Sequence, residues 1–474
     1  MRETKLYSTL VQLDGFELNR LHRFILSPYF NRNDAIIRLF EWVKEDLKSP
    51  NGQQITKEDL WEICFSDEEP FNDGRFRKLQ SDLLRLIEEY YAQESFEANP
   101  IHKAKYLLES IYENKLEHLK LSALKTAQRL AENQKLKPAS FYYYQYEIEQ
   151  IKYDLSKSQV ERSEKSNIED IAQNLDRFYL AEKLRYYCTI LNHQHVAALD
   201  YKMLFIDEII QHVESHGYDD VPPIRIYYQI LQTYKFPDDR SHYDKLRELI
   251  SSYYQLFPEA QIKEILDAAF NYCILKSNTG SLEFVRELFK LYVETLENKL
   301  ILVKEQITPW SYKNIITAGL RLSEFEWVEK FIYDYNPLLD EKFRDNALTF
   351  NLAQLYFYKK DYERVIRQLS QVDYEDMTYN LNSKTLLMAS YFELDEMEAL
   401  NSLLDTFRVY LNRNKNIPQI RRKHYINTIN IVRKLAKIKS GDKKEVEKME
   451  KEIESTQGIV SKNWILEKLT TLKG

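Results

Sequence analysis

Glycine is scarce in this chain, with nine in 474 residues, and prolines number only twelve, against the roughly 7 % and 5 % of ordinary globular proteins. Tight turns and β-hairpins draw on both residues, so little material for them is present. No two glycines fall within six residues of each other, which excludes the glycine-rich loops that cradle nucleotide phosphates. HExxH and GxSxG patterns are missing as well, removing the zinc-protease helix and the nucleophile elbow. Cys64, Cys188 and Cys273 are far apart and odd in number, so neither a disulfide framework nor paired CxxC zinc spacing exists, and a reducing compartment fits. No uncharged apolar run reaches the about 18 residues that a membrane span needs. Met1 to Arg20 holds Arg2, Glu3, Lys5, Asp14 and Glu17 and no apolar signal-peptide core. A cytoplasmic protein without membrane contact is expected.

What is abundant points to stacked helices. Tyrosine occurs 35 times, and a tyrosine buries its ring while its hydroxyl stays wet, which suits an elongated structure with a thin core. At 474 residues the chain exceeds what one hydrophobic core usually organises. Residues 1–99 form a separate N-terminal helical domain in this reading. Leu6, Leu10 and Leu13, then Leu18, Leu21, Phe24 and Ile25, keep helical spacing until Ser27-Pro28. A third helix is expected near Asp34 to Leu47, and Thr56 with Asp59 is a capping pair for a fourth. Asn72 or Asp73 caps a fifth, whose stripe is Phe76, Leu79, Leu83, Leu86, Ile87 and Tyr90. Residues 100–411 are expected to be an array of helix pairs, and 412–474 a charged C-terminal helix pair. No β-element is needed for any segment, so the fold class is all-α.

A repeat can be read between Trp310 and Leu411. Ile315, Leu352 and Leu387 align, as do Leu320, Phe357 and Phe392; Val328, Val365 and Leu400; Ile332, Leu369 and Leu404; and Tyr335, Val372 and Phe407. The offsets are 37 and 35 residues. Two helices per unit at such a period mark a solenoid of helical hairpins, because one hairpin cannot bury its own apolar face. Here the chain resembles the tetratricopeptide-repeat family. The resemblance is plainest in Leu352-Ala353-Gln354-Leu355-Tyr356-Phe357 followed by Asp361-Tyr362, where Leu352, Ala353 and Tyr356 match the family's leucine, small and tyrosine positions and Tyr362 its turn aromatic. The chain departs from the pattern with Val328, Val365 and Leu400 at the small position of the second helix, and with no proline after Val372. Bulkier residues there should spread the helices and make the superhelix irregular. The resemblance implies a tetratricopeptide-like helical solenoid, and no ligand-gripping residue of the family carries over.

One segment reverses the sign of the protein. The chain carries −7 overall, yet between Phe407 and Glu445 lie twelve Lys or Arg and one acid, Asp442. A helix from Pro418 to about Gly441 would set Ile420, Tyr425, Ile429, Ile431, Val432, Leu435 and Ile438 on one half and Arg422, Lys423, Arg433, Lys434 and Lys437 on the other. Those five are the candidate anion- or partner-binding residues. A solvated face is the plain alternative. An acidic protein surface is favoured over nucleic acid as a partner, including the chain's own residues 1–407, with 50 bases and 67 acids, or a second copy. Nucleic acid stays open, since a Debye length of about 8 Å confines repulsion from the acidic body to nearby surface. Arg75, Arg77 and Lys78, in the first turn of the fifth helix, are a second candidate, because that end of a helix prefers anions. Their plain explanation is neutralisation by Asp67, Glu68, Glu69 and Asp73.

Two other clusters carry weaker cases. His193, His195, His212 and His216 include an i,i+4 pair that a metal would use, but His216 before Gly217 suits a helix C-terminus without one. Tyr142, Tyr143, Tyr144 and Tyr146 point in different directions on a helix, so core packing outweighs a base-stacking platform. No cofactor, metal or catalytic residue is assigned. The expected function is a non-catalytic scaffold that binds another protein, with a nucleic-acid-associated or transcription-regulating role as the alternative.

Overall fold

The computed structural model describes residues 4–48, 56–65, 70–156, 166–197, 201–303, 305–370 and 377–473. Among these residues the chain forms 23 α-helices and two short 3-10 turns, and the extended pairing present is an isolated bridge of Val303 with Gln306. The protein is all-α. It divides into two compact units, residues 1–185 with 215–224, and residues 186–214 with 225–474.

The first unit opens with α1 (Lys5–Leu10), α2 (Gly15–Ile25), α3 (Asp34–Lys48), α4 (Lys57–Cys64) and α5 (Asp73–Glu97). Reciprocal capping boxes start α2 at Asp14 with Glu17 and α4 at Thr56 with Asp59, each satisfying two backbone donors that the helix leaves open. Asn72 caps α5 by accepting from the Arg75 amide. The expected stripes of α1, α2 and α5 are buried and share one core with Leu39, Phe40, Val43 and Trp61. Next come α6 (Pro100–Glu113), α7 (Glu117–Glu132) and α8 (Ala139–Ser156), with Asn99 capping α6 and Pro100 in its first turn. Lys105 joins α6 to α8, lying 3.0 Å from Glu109 and 2.9 Å from Glu147. Helices α9 (Ile168–Ala197), α10 (Ile206–His216) and α11 (Pro222–Lys235) each contain a division between the units.

The second unit continues with α12 (Arg240–Tyr253), α13 (Glu259–Asn278), α14 (Leu282–Glu297), α15 (Pro309–Arg321), α16 (Phe325–Tyr335), α17 (Glu341–Tyr358), α18 (Tyr362–Leu369), α19 (Met377–Glu393) and α20 (Met397–Arg413). It ends with α21 (Gln419–Leu435), α22 (Lys443–Ser455) and α23 (Lys462–Lys473). Four pairs, α13 with α14, α15 with α16, α17 with α18 and α19 with α20, are joined by three residues each. Partners in each pair pack together, and the first helices of neighbouring pairs also touch, α15 on α17 and α17 on α19.

The turns inside these pairs repeat with the sequence. Ser323, Lys360 and Asp395, offset by the same 37 and 35 residues, have φ of +62°, +61° and +59°. The next amide reaches back in each case: Glu324 N to Gly319 O at 3.0 Å, Asp361 N to Tyr356 O at 2.9 Å and Glu396 N to Tyr391 O at 2.9 Å. With the bonds from Ser323, Lys360 and Asp395 N to the carbonyls of Leu320, Phe357 and Phe392, these are Schellman closures. The same two bonds end α6 at Lys115 and α14 at Lys299. Glycine normally takes the left-handed position, which costs another residue about 1–2 kcal/mol. This chain closes five helices that way without glycine.

The aligned apolar positions are core. Ile315, Leu320, Val328, Ile332, Leu352, Val365, Leu369, Leu387, Leu400, Leu404 and Phe407 are buried, and Tyr335, Phe357 and Phe392 are half-buried; Val372 lies outside the described residues. At Val328 the bulk is accommodated locally. A Cβ on Gly319 would stand 2.5 Å from Val328 Cγ2 and 3.1 Å from Phe289 Cε2, so the missing side chain on α15 makes room for the valine on α16. Farther on, Glu393 of α19 accepts from Trp464 Nε1 at 2.8 Å and lies 2.7 Å from Lys468 Nζ. This mostly buried pair ties α23 back onto α19.

Two substitutions test this account by thermal unfolding. Gly319→Ala should destabilise by about 1–3 kcal/mol through overpacking against Val328. Lys360→Gly should raise the midpoint by about 1–3 °C by relieving the left-handed lysine.

Candidate interaction site

Helix α21 is built as its pattern requires. Pro418 stands at the N-cap, where its fixed backbone suits the entry and its missing amide hydrogen costs nothing. Tyr425, Ile429, Ile431, Val432 and Leu435 are buried, joining one core with Leu404, Phe407, Val446, Met449, Ile453, Ile465 and Leu469. Ile420 departs from the expected apolar half and is 73 % exposed, because it lies in the first turn, ahead of the helix's buried stretch. After the helix, Gly441 takes φ of +87°, and Asp442 accepts from the Glu445 amide at 3.2 Å as the cap of α22.

The five basic candidates do not share one fate. Arg422 Nη2 donates to the carbonyls of Asn414 at 3.0 Å and Ile417 at 3.3 Å, bracing the loop into its own helix. Arg433 Nη2 donates to Asp405 of α20 at 2.6 Å, and Lys434 Nζ to Glu452 of α22 at 2.6 Å. Exposed pairs of this kind are each worth about 1 kcal/mol or less, but they direct those charges inward along the unit. Lys423 and Lys437 are exposed and have no ion-pair partner among the described residues. Lys434 and Lys437 line a cleft of about 590 Å³ between the end of α21 and α22, with Lys439 and Lys448 and with Asp442, Glu445 and Glu452. The cleft is therefore mixed in charge.

The second candidate disperses in a similar way. Arg75 lies over the rings of Phe65 and Trp61, 4.5 and 5.6 Å from their centroids. Arg77 pairs with Asp73 at 2.6 Å, and Lys78 is exposed. A hydrogen bond from Lys57, and then the charge of Arg77, hold the Asp73 carboxyl below its ordinary pKa. Asp67, Glu68 and Glu69 lie outside the described residues.

The aromatic run is interior packing. Tyr142 is buried, which pushes its phenol up to about 12, Tyr143 donates to Glu147 at 2.9 Å and packs on Phe178, and Tyr144 meets His102 edge-on. His212 and His216 lie in α10, ended by Gly217 at φ +62°. The side chain of His195 lies outside what is described. Among the described residues no three His, Cys, Asp or Glu converge as metal ligands would.

One pocket had no counterpart in the sequence patterns. About 200 Å³ opens between α9, α11 and α13, lined by Asn192, Thr233, Tyr234, Asn271, Leu275 and Asn278 among others, none of them charged. Asn271 Nδ2 donates to Asn192 Oδ1 at 3.0 Å. Burial pushes the Tyr234 phenol up to about 12, so it serves as a neutral hydroxyl. Asn271 and Asn278 are seven apart on one helix face, a faint signal; Asn192 is 79 residues from Asn271.

No protein-family model, no curated protein and no solved structure matches the chain.

All three thiols are buried and free. Burial pushes Cys64 up to about 11 and Cys273 up to about 12, and raises Cys188 as well. In an unfolded chain these groups ionise near 8.5. Their contribution to stability is complete below that pH and is lost as pH rises from about 8.5 toward 11 or 12. A chromogenic disulfide at pH 8 should label the native protein at least about 100-fold more slowly than the denaturant-unfolded chain.

Proposed function

We propose that the protein is a non-catalytic cytoplasmic scaffold, a tetratricopeptide-like array of helical hairpins in its second unit that binds another protein. The carrying observation is the repeated hairpin: identical Schellman turns at Ser323, Lys360 and Asp395, with first helices laid α15 on α17 on α19. Such stacking presents a continuous row of first helices. The pocket of α9, α11 and α13 suits this role, because its amides and hydroxyls can bond the main chain or amide groups of a bound segment. It offers no charge with which to activate a nucleophile.

A nucleic-acid-associated role is the second proposal, on the exposed Lys423 and Lys437 and on Lys439 at the cleft. Arg422, Arg433 and Lys434 are drawn into contacts with the protein itself, which favours the protein-binding alternative. Three phosphate contacts would give a log-affinity against log-salt slope of about −3.

Photo-crosslinking separates the two. A benzoylphenylalanine at Leu275, which is 46 % exposed on the pocket rim, should yield a discrete protein adduct in a native lysate. The same probe at Lys423 should yield a nuclease-sensitive adduct only if the second proposal holds. The absence of a protein adduct at Leu275, together with turnover of a small molecule by the purified protein, would defeat the scaffold.

A further inference from the structure

The hairpin of α6 and α7, inside the first unit, carries a groove of about 340 Å³. Its floor is small, with Ala104 on α6 and Ser122, Ala123 and Thr126 on α7, and Leu107 and Leu119 stand at its edges. Those leucines are 47 % and 38 % exposed. Apolar side chains left in water around a depression without bulky floor residues mark a place where another apolar surface is missing. The lining positions on α7 run from Leu119 to Leu130, about 16 Å at the helical rise, or three turns.

The charge around the groove selects the occupant. Residues 100–137 carry eight bases and four acids in a chain whose net charge is −7. Lys105 is held by Glu109 and Glu147, Lys120 by Glu117, and Lys103, on the groove itself, by Glu97. Lys125 and Arg129 are exposed, without an ion-pair partner among the described residues. Each precedes a lining residue, Thr126 and Leu130, by one position, which sets both cations along one bank of the groove, one turn apart.

We infer that this groove docks an acidic amphipathic helix of a partner protein, its apolar anchors at i, i+3, i+4 and i+7 seated on the floor and its acidic flank facing Lys125 and Arg129. This rests on the scaffold function and assigns it a second surface. A second copy of the chain would be the rival occupant.

The test is fluorescence anisotropy with the full chain and a designed helix of about 15 residues, bearing leucines at the four anchor positions and glutamates beside them. Saturable micromolar binding is expected. It should weaken about tenfold when the glutamates become lysines and when salt is raised tenfold. Ser122→Arg or Leu107→Asp, at exposed lining positions, should abolish it. Lys125→Glu with Arg129→Glu, which touches only exposed side chains, should reduce it about fivefold and leave the melting curve unchanged. Absence of saturable binding, equal binding of the lysine helix, or indifference to the paired charge reversal would overturn the inference. So would concentration-dependent dimerisation in sedimentation that Ser122→Arg removes, since the occupant would then be a second copy. None of these outcomes touches crosslinking at Leu275 in the other unit, so the scaffold stands or falls separately.

Discussion

A pair of antiparallel helices has more apolar face than the two can hide in each other. In the second unit this constraint governs nearly everything. Leu352 and Phe357 lie on the same first helix as Ala353 and Leu355, so α17 needs α18 on one side and α15 and α19 on others to cover them. Beyond these pairs α21 packs on α20, and Glu393 with Trp464 and Lys468 draws α23 back to α19. Repeated closure at Ser323, Lys360 and Asp395 keeps successive pairs alike, because the same two backbone bonds set the same exit from the helix.

The same stacking decides what the charges can do. A helix with bases on one side and apolar residues on the other looks, taken alone, like a surface waiting for an anion. In α21 the neighbours supply the anions: Asp405 from the helix before and Glu452 from the helix after. Arg422 turns to backbone carbonyls of the preceding loop. What remains outward is a smaller group, with Lys423 and Lys437 exposed and a cleft shared by lysines and acids. On α7 the balance runs the other way. Lys125 and Arg129 stand beside a depression of small side chains, and no acid of a neighbouring helix pairs with them among the described residues.

Much of the fold was legible from spacing. The stripes of α1, α2 and α5 and the caps at Thr56 and Asn72 depend on residues within a turn or two of each other, and the repeat with offsets of 37 and 35 on the recurrence of one apolar pattern along the chain. The accommodation of Val328 was not legible, since the relief comes from Gly319 on the facing helix. Nor was the uncharged pocket, in which Asn192 meets Asn271 across 79 residues. Ile420 was misplaced for a related reason: helical phase says which side a residue faces, and not whether another element reaches it.

The all-α character, the starts of α4, α5 and α21 and the period of the hairpins were determined by the sequence alone, because capping, proline geometry and apolar phase act over a few residues. Which cations stay free, where small side chains open a groove and which amides face each other were decided by tertiary structure. Those outcomes turn on distances between helices far apart in the chain, and ion pairing and burial change sharply over a few ångströms.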